Sequence, residues 1–177
     1  MSAPLAERLR PQNLDEFIGQ QHLVGKGAVL RKMIESGRVP SIIFWGPPGV
    51  GKTTLANIIA NTVKAPFYKL SAINSGVKDV REVIDRAKNN RFFESSAPIL
   101  FIDEIHRFSK SQQDSLLSAV ETGTVTLIGA TTENPSFEVI RPLLSRCQVY
   151  VLKEMEKKDL RTLLDRALTE DLILKDK

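Results

Sequence analysis

The chain has 177 residues, 42% of them hydrophobic and 26% charged, enough for one well-packed core and too little for two. Its formal charge of +4 permits a polyanionic partner without demanding one. No apolar run reaches membrane-span length, Met1-Ser2-Ala3-Pro4 has no charged-then-apolar leader, and Cys147 is the single cysteine, so a cytoplasmic protein with neither membrane segment nor internal disulfide is expected.

Residues 1–40 read as a polar leading segment with a short helix from Ala28 to Ser36. The apolar run Ser41 to Trp45 then launches Gly46-Pro47-Pro48-Gly49-Val50-Gly51-Lys52-Thr53, a complete G-x-x-x-x-G-K-[ST] phosphate loop. Apolar residues at helical spacing follow from Lys52 to Thr62, and strand, glycine loop, helix is the context that confirms such a loop. The chemistry needs these residue types. Glycines let successive backbone N–H groups converge on a phosphate, and the helix start adds the positive end of its dipole. Lys52 would reach the β and γ oxygens, and the Thr53 hydroxyl would ligate Mg²⁺. The nucleotide-binding set is therefore Gly46, Pro47, Pro48, Gly49, Val50, Gly51, Lys52, Thr53 and Thr54.

Further along, Pro66 to Leu70 is a strand and Val77 to Asn89 a helix. On that helix Lys78, Arg81, Arg86, Lys88 and Arg91 outnumber Asp79, Glu82 and Asp85, and the plainer reading is a solvated face laced with ion pairs. Ile99 to Ile102 is an apolar strand ending in Asp103 and Glu104, about fifty residues beyond the phosphate loop. Parallel α/β sheets collect ligands at the carboxyl ends of their strands, so this pair and the loop should meet. Asp103 would then hold Mg²⁺ through water and Glu104 would orient or deprotonate the water attacking the γ-phosphate; otherwise the two acids merely cap the next helix. His106 and Arg107 follow. Zincins need a second histidine on the same helix, and none is present here, so a surface or supporting role is expected for His106.

A helix from Ser111 to Glu121 stops at Gly123, and the strand from Val125 to Ile128 turns polar through Gly129-Ala130-Thr131-Thr132-Glu133-Asn134. Thr132 and Asn134 could each sense the γ-phosphate or the attacking water, or simply finish the strand. Arg146, after the apolar run Leu143-Leu144, could be a surface ion-pair partner or a finger stabilising charge in a neighbouring subunit. The last strand is Val149 to Leu152. A charged joint, Glu154 to Lys158, leads to Leu160, Leu163, Leu164, Ala167, Leu168 and Leu172 at helical spacing, an apolar stripe with almost nothing after it to cover it. Strands and helices alternating in this way predict a three-layer α/β/α sandwich around a five-stranded parallel sheet, followed by the start of an incomplete helical domain.

Together these motifs resemble an AAA+ ATPase from about Pro4 to Leu152, a P-loop NTPase fold. Within that superfamily the chain is similar to the replication-associated recombination protein A family and its eukaryotic Werner helicase-interacting relatives. The resemblance is carried by Pro4-Leu5-Ala6-Glu7-Arg8-Leu9-Arg10-Pro11, Phe17-Ile18-Gly19-Gln20, Ser75-Gly76-Val77-Lys78-Asp79-Val80-Arg81, Phe108-Ser109-Lys110-Ser111-Gln112-Gln113-Asp114 and Gly129-Ala130-Thr131-Thr132-Glu133-Asn134-Pro135-Ser136-Phe137-Glu138.

It implies ATP and Mg²⁺ as ligands, with Lys52, Glu104, Arg146 and either Thr132 or Asn134 acting in hydrolysis. It also implies an adenine cradle formed by Arg10, Pro11, Ile18 and Gly19. Arg146 would be supplied in trans by a homo-oligomer, and Ser71 would couple DNA binding to Glu104. Implied partners are single-stranded, gapped, forked or end-bearing DNA and a single-stranded-DNA-binding protein, with a nucleoid location in a bacterium. Residues 1–153 would be the nucleotide-binding core, with 1–40 contributing to the adenine pocket, and 154–177 the first helix of a lid that family members complete. Weak hydrolysis is expected without that lid. A Holliday-junction branch-migration motor or a clamp-loader subunit shares the Asp103-Glu104 strand and the Gly129 to Thr132 turn, although the Ser75 to Arg81 and Glu133 to Glu138 blocks argue against both. From other classes, a small-molecule kinase would need an acceptor pocket, and a nucleotide-sensing scaffold would assemble without hydrolysis.

Overall fold

The computed structural model describes residues 3–90, 96–171 and 173–174. Short helices α1 (Leu5–Arg8), α2 (Gln21–Val24) and α3 (Val29–Glu35) precede β1 (Ile42–Trp45), and α4 (Lys52–Val63), β2 (Phe67–Ser71) and α5 (Val77–Asn90) follow it. Then come β3 (Ile99–Asp103), a 3₁₀ turn over Ile105–Arg107, α6 (Lys110–Glu121), β4 (Thr126–Thr131), α7 (Pro135–Glu138), α8 (Arg141–Leu144), β5 (Gln148–Val151) and α9 (Lys157–Glu170).

The strands form one sheet in the order β2-β3-β4-β1-β5, and every pairing is parallel. Parallel strands are buried on both faces, which is why they read as continuous apolar runs rather than alternating ones. Alternate side chains nevertheless enter different cores. Ile42, Phe44, Ile99 and Phe101 pack with Leu55, Ile58 and Ile59 of α4 and with Leu30 and Ile34 of α3. Ile43, Leu100 and Ile102 pack on the other face with Val80 and Ile84 of α5 and Leu116 of α6. Two hydrophobic cores on one sheet make the expected three layers. Helix α6 starts at a capping box in which Ser109 accepts from the Gln112 N–H and the Gln112 side chain accepts from the Ser109 N–H.

Some expectations shift. The β4 strand runs beyond Ile128 to Thr131, because Gly129, Ala130 and Thr131 stand in register with Ile43, Phe44 and Trp45 of β1. Lys78, Arg81, Arg86 and Lys88 are exposed on α5, but among the described residues they form no ion pairs, so the face is solvated without being laced. Arg91 and Leu172 lie outside the described residues. On α9, Leu160, Leu164 and Leu168 are 47%, 65% and 62% exposed, whereas Ala167 is buried. Part of the apolar stripe therefore faces solvent, and the rest turns inward onto the leading segment.

That docking is polar as well as apolar. Arg8 grips Asp171 through two nearly parallel bonds, Nε to Oδ2 at 2.8 Å and an Nη to Oδ1 at 3.1 Å. Arg166 donates to the Glu16 carbonyl at 2.7 Å, and the Gln20 amide exchanges bonds with the Lys153 backbone at 2.6 and 2.9 Å. The Arg8 guanidinium, with smaller help from the Leu174 and Ile173 N–H groups, holds the Asp171 carboxyl down to about 2 from its ordinary 3.8. Since the folded value lies below the unfolded one, this contribution is complete above about pH 4 and is lost as pH falls through about 2. We expect amide exchange along α9 to accelerate between these pH values before the sheet opens. In Arg8→Ala exchange there should already be fast at pH 5; an unchanged α9 would mean that the ion pair does not dock it.

Candidate functional site

The phosphate loop leaves the carboxyl end of β1 in the middle of the sheet. At Gly46 the N–H donates to the Thr131 carbonyl at 3.1 Å, and a Cβ would stand 2.5 Å from the Leu152 carbonyl oxygen, so no larger residue fits between the ends of β4 and β5. Gly51 has φ +98°, and a Cβ there would meet the Phe17 ring at 2.9 Å. Glycine at that point lets the backbone enter α4 with its free N–H groups turned to the loop. Lys52, the first residue of α4, donates from Nζ to the Gly46 and Pro47 carbonyls at 2.6 and 2.9 Å. Burial lowers its pKa from the ordinary 10.5, and the charges of Asp103 and Glu104 oppose that shift.

A cavity of about 370 Å³ lies against this loop, with Gly49, Gly51, Lys52, Thr53 and Thr54 on one side and Asp103, Glu104, Thr131 and Thr132 on the other. The loop and the paired acids, distant in sequence, thus share one wall-to-wall space, because β3 and β1 flank β4 in the same parallel sheet. Asp103 is the last residue of β3. Glu104 turns the chain in the left-handed region (φ 54°, ψ 47°), a conformation that costs a non-glycine residue on the order of 1 kcal/mol. The turn is held by Arg107 N–H donating to the Glu104 carbonyl at 2.9 Å and by fully buried Ile105 packing against Gly129.

Among the described residues, Glu104 Oε2 is the only buried side-chain polar atom without a hydrogen bond. Arg107 Nε lies 3.1 Å away, an ion-pair distance without hydrogen-bond geometry. The Glu104 side chain as a whole is one-third exposed and lines the cavity, where a carboxylate can accept a proton or hold a water. No cluster of three or more His, Cys, Asp or Glu among the described residues could hold a metal alone. Thr53 and Asp103 fit Mg²⁺ in the way that ion is commonly bound, through one or two protein oxygens with phosphate and water completing the shell.

The two sensor candidates separate. Thr132 lines the cavity, whereas Asn134 does not: its side-chain oxygen caps α7 by accepting from the Ser136 N–H at 3.0 Å. Sequence reasoning passed over Thr131, which is 1% exposed and whose hydroxyl meets His106 Nδ1 at 2.9 Å. This answers the question left open for His106, which supports the cavity wall.

A second cavity of about 390 Å³ lies on the other side of the loop, and Gly49, Gly51 and Thr54 line both. Arg10 and Pro11, two of the four residues named for an adenine cradle, line it together with Leu5, Leu9, Phe17, Val50, Met155 and Leu163. Ile18 and Gly19 do not. Gly19 is turned toward α9, with Asp159 Oδ2 3.7 Å from where its Cβ would be. The helical spacing that includes Leu163 is visible in the sequence, but nothing in the sequence shows that α9 closes a wall against α1.

Arg146 lies between α8 and β5, two residues before the strand begins, so it sits at the amino edge of the sheet, opposite the loop. Strand β5 alone separates it from the loop's edge by on the order of 13 Å, at ~3.3 Å per residue. Its guanidinium is exposed and lies 3.4 Å from Glu121. Ser71 ends β2 in register with Asp103 and does not line the phosphate cavity. None of the described helices is long and apolar enough to cross a membrane.

Residues 42–155 match the model of the ATPase family associated with various cellular activities, AAA. Replication-associated recombination protein A of Escherichia coli K12 is 53% identical over 94% of this chain, as is its Haemophilus influenzae counterpart. ATPase WRNIP1 of Dictyostelium discoideum is 50% identical over 99%. The chain spans 37% of the length of the first two relatives and 20% of the third. Among solved structures, the Thermotoga maritima RuvB Holliday junction branch migration motor superposes with a TM-score of 0.74 at 33% identity, covering 91% of this chain and 54% of that one. The family match spans most of the chain and falls on the strands and loops that build the cavity: this chain belongs to the AAA family of ATPases.

Proposed function

We propose that the chain is the ATP-hydrolysing core of an oligomeric, DNA-dependent AAA protein that maintains replication forks and acts in recombination and repair. The observation that carries hydrolysis is the partly exposed Glu104 carboxylate lining one cavity with Lys52 and Thr53. In this reading the loop amides and Lys52 bind the β- and γ-phosphates. Thr53, and Asp103 through water, would hold Mg²⁺, which would supply positive charge against the phosphate oxygens. Glu104 orients and deprotonates the attacking water, and Thr132 contacts the γ-phosphate or that water. Arg10, Pro11 and Phe17 hold the base in the second cavity. Residues 1–153 are the core, and α9 opens a helical lid whose inner face already closes the base cavity.

The DNA role rests on the names of the recombination-protein relatives, at 53% identity, against 33% for the branch-migration motor. A cytoplasmic or nucleoid location follows from that role, and single-stranded-DNA-binding protein is the partner expected beside it. A non-hydrolysing scaffold would leave Glu104 without a task. Arg146 at the far edge of the sheet cannot serve its own cavity, which supports delivery to a neighbour. Arg146→Ala should therefore lower DNA-stimulated turnover by roughly 10³-fold while nucleotide affinity stays within about twofold. Phosphate release measured with single-stranded, gapped, forked and blunt DNA tests both points. No stimulation by any DNA would remove the DNA role, and undiminished turnover in Arg146→Ala would remove the finger.

A further inference from the structure

We propose that His106 is a positioning residue for hydrolysis: it donates from Nδ1 to Thr131 and thereby holds Glu104 and Thr132 in a fixed relation across the phosphate cavity. The inference rests on the hydrolytic reading of that cavity. Thr131 Oγ1 has three polar neighbours, the Glu133 N–H at 3.0 Å, the Glu133 carbonyl at 3.2 Å and His106 Nδ1 at 2.9 Å. A hydroxyl offers one proton and two lone pairs. The N–H can only donate and takes one lone pair; the carbonyl can only accept and takes the proton. The remaining lone pair needs a donor, so His106 Nδ1 carries a proton, and in the neutral ring Nε2 is then the bare nitrogen.

His22 requires the opposite arrangement. Its Nε2 lies 2.8 Å from the Val151 carbonyl, which can only accept, so its proton is on Nε2. The chain has two histidines, and the structure assigns them opposite tautomers.

The His106 bond lies where the sheet stops helping. The last register pair between β3 and β4 is Ile102 with Gly129. Beyond it the two chain ends carry Glu104, two residues before His106, and Thr132, one residue after Thr131. Glu104 is in the left-handed region, and Thr131 is buried and in register with Trp45. A donor from the turn to that fixed hydroxyl stops the turn from swinging away from β4, so the water-activating carboxylate and the γ-phosphate contact keep their separation.

The test has two independent arms. Long-range ¹H–¹⁵N correlation spectra of ¹⁵N-histidine-labelled protein should show Nδ1–H for His106 and Nε2–H for His22, and Thr131→Val should disturb His106 alone. An Nε2–H tautomer at His106 in the wild type overturns the assignment whatever the activity. In single-turnover hydrolysis with protein in excess, Thr131→Val and His106→Gln should slow phosphate release about tenfold, with nucleotide affinity within about twofold. His106→Asn, whose amide nitrogen falls near Nδ1, should stay within about threefold of wild type. Equal loss in His106→Asn and His106→Gln, or an affinity loss as large as the rate loss, means a merely structural histidine. A wild type that releases no phosphate sinks the hydrolytic reading and the positioning role with it, while the tautomer arm still reports on the bond.

Discussion

Lys52→Ala is expected to weaken nucleotide binding at least a hundredfold, read by titration with a fluorescent nucleotide. Two charge-assisted hydrogen bonds to phosphate oxygens are worth roughly 3 kcal/mol or more together, about a hundredfold in affinity. The protein should remain folded, because alanine suits a helix at this first position of α4 and its introduction removes only two side-chain hydrogen bonds, to the Gly46 and Pro47 carbonyls. The same lysine makes affinity pH-dependent. Phosphate needs its charged form, and burial lowers its pKa below the ordinary 10.5, so binding should fall as pH rises, beginning at a lower pH than for an ordinary lysine. Wild-type affinity in Lys52→Ala, with an intact thermal transition, would place nucleotide somewhere other than this loop.

Glu104→Gln is expected to do the reverse: nucleotide affinity within about twofold of wild type and hydrolysis slower by roughly 10²–10⁴, the usual worth of a general base. Glutamine keeps the shape and the accepting oxygen and loses the ability to take a proton. The contact with exposed Arg107 weakens too, but exposed ion pairs contribute only about 0–1 kcal/mol, so stability should hardly change. Single-turnover phosphate release beside a binding titration separates the two quantities. If Glu104→Gln releases phosphate within tenfold of wild type, the base is elsewhere and the scaffold reading gains. Together the two variants distinguish a site that fails to bind from one that binds and fails to turn over.

Much of this site was legible from residue types. The loop from Gly46 to Thr53 could be read because its conformation depends on glycines and on the helix that begins within it, both local properties. Asp103 and Glu104 could be joined to it because parallel sheets bring strand ends together whatever the strand order. The order itself, with β1 between β4 and β5, was not readable, since every strand is a similar apolar run. Nor were the different positions of Thr132 and Asn134, two residues apart and equally polar: Asn134 caps α7, and Thr132 lines the cavity.

By itself the sequence determined the α/β class, the phosphate loop, the carboxylate pair and the polar turn after β4, because each depends on the chemistry of adjacent residues. Tertiary structure alone decided that α9 walls the second cavity against α1, that Phe17 lines it while Ile18 and Gly19 do not, and that Arg146 lies at the edge of the sheet opposite its own loop. It also decided which oxygens the His22 and His106 rings meet. Those outcomes depend on which groups long-range packing brings within hydrogen-bond distance, and the Arg8–Asp171 and His106–Thr131 contacts join residues 163 and 25 positions apart.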